Sequence, residues 1–171
     1  MEAMDAILGR RSIRKYTSDA VTDTQVKQLL EAGMAAPSAG NQRPWHFVVI
    51  DDRAILDRIP DIHPYAQMIK EAPVAILVCA DTGKLVYEHH WPHDCSAATL
   101  NILLAAHAIG LGSVWLGVYP DKDRVKGLAK LLNLPKNAVP FSLLPVGVPD
   151  ENKLASKRYD ESRVHNNLEW R

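Results

Sequence analysis

Arg10, Arg11, Ser12 and Arg14 place three guanidinium groups and a hydroxyl within five residues. Fork-shaped cations this close repel one another unless an anion sits among them, and a phosphate monoester matches their planar donors. A solvated basic turn accounts for the same residues without a ligand. Lys157-Arg158 repeats the question near the other end of the chain, where spacing alone favours solvated charge. A polar loop bounded by two prolines, Pro37-Ser38-Ala39-Gly40-Asn41-Gln42-Arg43-Pro44, offers further hydrogen-bonding groups just before the apolar run at Trp45. His89, His90, His93, Asp94 and Cys95 are the only cluster with metal-ligating residue types. His89 and His93 would share a helix face, but Pro92 argues against a helix there, so the stretch reads as a surface loop leading to an Asp94 cap, with no metal.

The elements that must position these residues alternate without repeats. Hydrophobic spacing and caps predict helices at 2–9, 23–34, 53–59, 65–71, 94–109 and 121–132, and strands at 45–51, 73–80, 113–118 and 139–147. Met4, Ile7 and Leu8 form one face of the first helix. The second opens on a capping box from Thr22 to Gln25 and buries Val26, Leu29, Leu30 and Gly33. From Ala97 to Val118 nearly every residue is apolar, but Asn101, His107 and Gly110-Leu111-Gly112 interrupt the run. Neither half reaches the roughly 20 residues of a membrane span, so the run reads as a buried helix ended by Gly110 and then a buried strand. A helix apolar on all sides must be covered on all sides, which points to a dimer interface. Pattern alone leaves α/β and α+β open.

Composition narrows the function classes. The 171 residues suit one domain that buries roughly 70% of its unfolded surface. Twenty basic and twenty acidic residues cancel, which disfavours a nucleic-acid binder. The N-terminal residues show no export signal, and Cys79 and Cys95 lie in settings too different to suggest a disulfide, so a reducing cytoplasm is expected. Gly110-x-Gly112 closes a helix instead of opening one and lacks a third glycine, which excludes a dinucleotide-binding fingerprint. Neither a GxSxG nucleophile elbow nor a GxxxxGK[ST] phosphate loop occurs in the chain.

Taken together, Arg10 to Arg14, Pro37 to Trp45, Asp94-Cys95-Ser96-Ala97-Ala98, Ala105 to Gly112, Val114-Trp115-Leu116-Gly117 and Lys157-Arg158-Tyr159 resemble the nitroreductase family of flavin mononucleotide (FMN) enzymes. The resemblance covers nearly the whole chain. It implies an α+β fold: a mostly antiparallel sheet flanked by helices in an intertwined homodimer. One domain over 1–171 would send residues 150–171 as an arm across the partner, contributing to the cofactor site and the dimer.

The resemblance also implies site residues. Arg10, Ser12 and Arg11 match positions at the FMN phosphate and ribityl chain, and Arg158, with Lys157 beside it, matches a C-terminal phosphate ligand. Arg14 matches a basic position near the pyrimidine edge of the ring, where a cation would act in catalysis. Pro37, Ser38, Ala39 and Asn41 match the loop reaching the flavin from the other subunit. Trp115, Leu116 and Gly117 match a strand end against the ring, where a backbone N–H meets flavin N5. The long helices that larger members insert between Cys79 and Asp94 are missing. An asparagine that some members place on the flavin is also missing, leaving Tyr65 or Gln67 as its stand-in.

The implied activity is hydride transfer from NADH or NADPH through FMN to a nitroaromatic, quinone or related small acceptor, with no nucleic-acid or membrane partner. Without a separate nicotinamide domain, donor and acceptor would use the flavin in turn, by ping-pong kinetics. Two rivals remain at this point: a relative that fragments its flavin or does other non-reductive chemistry, and a non-catalytic flavin- or metal-binding regulator.

Overall fold

The apolar run after Pro73 forms β2 (Val74–Asp81), and from Val74 to Ala80 it is buried throughout. A strand that is apolar on both faces must lie inside a sheet with both faces covered. β2 pairs antiparallel with β1 (Trp45–Ile50) on one side and with β5 (Ala138–Gly147) on the other. The short strands β3 (Gly112–Ser113) and β4 (Leu116–Gly117) both pair antiparallel with the far side of β5. The order is thus β1-β2-β5-β3, with β4 beside β5. The computed structural model describes residues 1–165.

Helices cover both faces of this sheet. Ile76, Val78, Leu144 and Val146 meet α2 (Asp23–Met34) and α5 (Trp91–Ala108) on one face. Ala75, Leu77 and Leu143 meet α3 (Arg53–Leu56), α4 (Ile59–Ile62) and α6 (Lys122–Leu131) on the other. α1 (Ala3–Gly9) lies against α5. The result is the expected α+β arrangement, an open antiparallel sheet flanked by helices.

Local chemistry sets several element ends. Both halves of the Thr22/Gln25 capping box form, and Asp121 caps α6 through the N–H groups of Asp123 and Arg124. Gly110 takes a positive φ of 83° past the end of α5, and Leu111 N–H reaches back to the Ala106 carbonyl at 2.8 Å.

Several boundaries differ from expectation. The helix expected at 53–59 divides into α3 and α4, because Pro60 has no N–H to donate to Leu56. The helix expected at 65–71 is a single 3-10 turn, Gln67–Lys70, whose neighbourhood Arg53 ties down by donating to the Ile69 and Ala72 carbonyls. The strand expected at 113–118 is interrupted at Val114-Trp115. Its two halves keep one register, Ser113 opposite Val146 and Leu116 opposite Leu143, so the missing rung faces Leu144 and Pro145, and Pro145 lacks an N–H. A second proline, Pro140, lies opposite Cys79 beside the bulge at Val78/Cys79.

α5 begins three residues earlier than expected, with Pro92 inside its first turn, where a missing N–H costs nothing. Asp94 is therefore not a cap. His90 occupies that position without a side-chain bond. α1 also differs: Ala6 is the residue it buries, while Met4, Ile7 and Leu8 stay more than half exposed.

α5 buries Cys95, Ala98, Ile102 and Ala106 under the sheet and α2. Leu100 on its opposite side is 46% exposed, in line with the half-buried Ala97, Leu104 and Ala108. Cys79 and Cys95 are both free and buried, and they meet: Cys95 Sγ lies 4.0 Å from the Cys79 carbonyl. Their settings are therefore closer than the sequence implied. Burial pushes the Cys79 thiol up to about 12, and burial with the nearby Asp94 charge pushes Cys95 up as well. Among the described residues no helix is long and apolar enough to cross a membrane.

Close approach of α2 to α5 depends on Gly33, where an added Cβ would stand 3.0 Å from Ile102 and from Phe47. Gly33→Val should therefore lower stability by about 1–3 kcal/mol, the usual range for overpacking. Urea midpoints measured with an unchanged m-value check this.

Candidate functional site

The chain's two ends meet at a cavity of about 570 Å³ lined by Ile7, Leu8, Arg10, Arg11 and residues 155–159, including Lys157 and Arg158. Arg10 follows directly on α1. Burial, then the Arg158 charge, then the Arg11 charge hold its guanidinium below the ordinary arginine value. Arg11 is fixed in place: Nη1 donates to the Leu8 and Arg10 carbonyls at 3.0 and 2.6 Å, and Nε to the Leu154 carbonyl at 3.0 Å. Its Nη2 is buried with no partner among the described residues. A set of like charges lining one cavity, with a spare buried donor on Arg11, suits an anion of high charge density.

Backbone bonds hold both strands of this cleft. Ser12 pairs with Ser113 of β3, and its carbonyl accepts Lys153 Nζ at 2.7 Å. Glu151 accepts the Arg14 N–H at 2.5 Å and pairs with Lys153 at 2.9 Å, and these two bonds hold its carboxyl below the usual range. The segment after β5 thus runs along residues 11–15 as an ordered border. Of the expected arm, residues 166–171 lie outside the described residues. The Arg14 side chain is exposed and does not line the cavity shared by Arg10 and Arg158.

The Pro37–Pro44 loop is built separately. Gly40, Asn41 and Arg43 all adopt positive φ, near 53°, 55° and 45°. Two non-glycine residues in that region need outside support. Asp94, only 4% exposed, provides it: Oδ1 accepts the Ala39 N–H at 2.8 Å and Oδ2 accepts Gln42 Nε2 at 2.7 Å. Gln42 Oε1 in turn accepts the N–H groups of Val86 and Tyr87, while Ser38 Oγ accepts the Arg43 N–H at 3.0 Å. Pro37 and Asn41 are exposed and Ser38 and Ala39 half-buried. Asp94 and Gln42 were missed as site-building residues. The available signal was an acid inside an otherwise apolar helix and an amide between two prolines.

This loop and the cation cluster occupy opposite ends of α5. Asp94 holds the loop, whereas Leu103 and His107 border a neighbouring cavity that Arg11 also lines. His107 lies thirteen positions after Asp94 along the helix, about 20 Å at the α-helical rise. Pro37, Ser38, Ala39 and Asn41 are therefore not brought to Arg10 and Arg158 within one chain.

The third part is the strand end Trp115-Leu116-Gly117. Trp115 packs against Phe141, with ring centres 5.9 Å apart, and Phe141 stacks on Tyr119. Trp91 at the start of α5 closes the group against Tyr119 at 4.7 Å. Leu116 is buried and Gly117 exposed. A Cβ on Gly117 would meet nothing within 4 Å, so the chain's own packing does not explain a glycine there. Its carbonyl accepts His63 Nε2 and Arg124 Nη1, each at 2.9 Å. Tyr65 lies beside both, and it and Gln67 in the 3-10 turn are exposed. His89, His90 and His93 are exposed while Cys95 points into the core, and among the described residues no three His, Cys, Asp or Glu side chains converge as a metal site.

A family model described as the nitroreductase family matches residues 7–64 and 62–148. A provisionally named NADH dehydrogenase/NAD(P)H nitroreductase of Methanothermobacter thermautotrophicus is 47% identical over 165 residues, covering 96% of this chain and 86% of that protein. An FMN-dependent nitroreductase of Clostridium difficile superposes with a TM-score of 0.89 at 31% identity, over 96% of this chain and 99% of that one. A provisionally named nitroreductase of Desulfovibrio desulfuricans, solved in complex with FMN, gives a TM-score of 0.85 at 34% identity over 98% of both chains. On this likeness of sequence and fold, the chain belongs to the nitroreductase family.

Proposed function

We propose that this chain is an FMN-dependent oxidoreductase that takes hydride from NADH or NADPH and reduces a nitroaromatic, quinone or related small acceptor. The observation that carries the reading is the meeting of Arg10 and Arg11 with Lys157 and Arg158, from the two ends of the chain, around one cavity. A phosphate monoester would relieve their repulsion and give the buried Arg11 Nη2 its acceptor. The open side of Gly117 leaves room for a flat ring to approach backbone. The residues present therefore fit FMN.

Each part then has a task. When bound, FMN supplies the hydride chemistry. Arg10, Arg11, Lys157 and Arg158 hold its phosphate, with Ser12 beside the ribityl chain. Trp115, Leu116 and Gly117 present backbone to the ring edge. Solvent at this exposed strand end supplies protons, so no side chain needs to act as an acid.

The site is completed by a second copy of the chain. Pro37, Ser38, Ala39 and Asn41 lie at the far end of α5 from the phosphate cations, so they reach the flavin of the partner. Leu100, with Ala97, Leu104 and Ala108, gives α5 an apolar stripe that a homodimer covers. Residues 150–165 serve as part of the arm that joins cofactor site and dimer.

The function is tested by the visible spectrum of the purified protein under nitrogen. Flavin absorption should bleach on adding NADH or NADPH and return with the acceptor, and double-reciprocal plots at several acceptor concentrations should be parallel. Intersecting lines would remove the ping-pong mechanism.

Arg10→Ala and Arg158→Ala should each weaken FMN binding by about 1.5–3 kcal/mol, the range for charged hydrogen bonds. Because both grip one phosphate, their effects should not add. Fluorescence titration of FMN with both single variants and the double variant checks this.

Arg14 is assigned to catalysis, not anchoring. Its exposed side chain stands apart from the phosphate cations. A fixed cation at the pyrimidine edge favours the negative charge that develops there on reduction, which raises rate instead of affinity. Arg14→Ala should lower the flavin midpoint potential and slow reduction by NAD(P)H while FMN stays bound, and Arg14→Lys should recover part of both. Stopped-flow reduction and redox titration read the two effects.

A further inference from the structure

Gly117 is held from one side and empty on the other. Its carbonyl accepts two donors from different elements: Nε2 of His63, which follows α4, and Nη1 of Arg124 in α6, each at 2.9 Å. A carbonyl oxygen has two lone pairs, so these donors satisfy it fully. Arg124 is itself aimed by Asp121, Nε to Oδ2 at 3.3 Å, and by the Tyr65 ring, whose centre lies 5.5 Å from its guanidinium carbon. The Tyr65 ring also meets the His63 ring edge-on at 6.2 Å. We infer that His63 and Arg124 are positioning residues, a two-donor clamp on the Gly117 carbonyl that fixes the strand end against which the flavin ring lies. This rests on the assignment of that strand end to FMN.

The clamp is needed because β4 is weakly supported. It has two residues, the edge it shares with β3 along β5 is interrupted opposite Pro145, and only β5 flanks it. A strand end that presents N–H groups to a ring has to be held to fractions of an ångström. β5 holds one edge, and the two donors supply the remaining restraint.

The geometry also sets the chemistry of His63. Gly117 oxygen can only accept, so Nε2 carries the hydrogen and Nδ1 is the bare nitrogen. His63 is 1% exposed, and Nδ1 is buried without a partner among the described residues. Protonating it would leave a buried N–H with no acceptor, next to the Arg124 cation. Burial first, and then the Arg124 charge, hold the ring below the ordinary histidine value, while its backbone contacts and Asp121 oppose them. The neutral ring therefore contributes stability that is present above about pH 6.5, the unfolded histidine value, and is lost as pH falls through the lower folded value.

The test uses the full chain loaded with FMN, with Gly117→Ala as the control. That Cβ meets nothing in the chain, so the variant should fold but bind FMN about tenfold or more weakly, a loss of about 1.4 kcal/mol. Arg124→Ala and His63→Leu should keep FMN but shift its midpoint potential and absorption band. They should also speed amide exchange at residues 116–118 about tenfold, the effect of removing one hydrogen bond. His63→Gln, which keeps a donor near Nε2, should restore the potential and abolish the part of the acid-stability slope that His63 causes. If His63→Leu does not fold, Arg124→Ala reads the same question from a partly exposed side chain. Unchanged potential, band and exchange in the clamp variants, with FMN weakened by Gly117→Ala, would overturn the clamp alone. Undiminished FMN binding by Gly117→Ala would overturn the flavin assignment and the clamp with it.

Discussion

An eighteen-residue helix that is apolar nearly all round has to be wrapped, and α5 sets the terms for everything around it. The sheet takes one side through Ile76, Val78 and Leu144, α2 takes another by way of Gly33, and α1 settles beside it on Ala6. What these elements leave uncovered is the stripe through Leu100. The same helix separates the two parts of the chain assigned to the proposed ligand, because Asp94 fastens one loop at its start while Leu103 and His107 border the cationic end. In the proposed homodimer, covering the helix and completing the site are one requirement.

Around that helix the chain gathers charge from its two ends. Arg10 and Arg11 leave α1 just where residues 150–158 return along them, bound through Glu151, Lys153 and the Leu154 carbonyl. These bonds mostly use backbone, so they set the path of the returning segment without neutralising the guanidinium groups. The repulsion that remains favours a bound dianion over the ligand-free cleft. It costs stability while the cleft is empty.

Legibility in the sequence followed the range of the interactions. α2 was readable to the residue because its capping box is a four-residue device, and β2 because its apolar run is uninterrupted. The break in the expected strand at 113–118 was not, since its cause, Pro145, lies some thirty residues away on another strand. Pro92 misled in the opposite direction: a proline that breaks a helix interior is harmless in a first turn, and the helix began before it. Arg10 and Arg11 offered a candidate anion site locally, whereas Lys157-Arg158 had the look of solvated charge until the tail's return path placed it on the same cavity. His63 carried no local signal at all, because a single histidine gains meaning only from the carbonyl it meets.

The meeting of Cys95 with the Cys79 carbonyl carries a chemical consequence for a redox protein. Peroxides and alkylating quinones are attacked by the thiolate and not by the thiol. With both sulfurs buried and their ionisation pushed far above neutral pH, this pair offers almost no nucleophile to such reagents. The hydrophobic interior between β2 and α5 is thereby passivated. An oxidoreductase of this family thereby keeps its own sulfur out of the chemistry it performs.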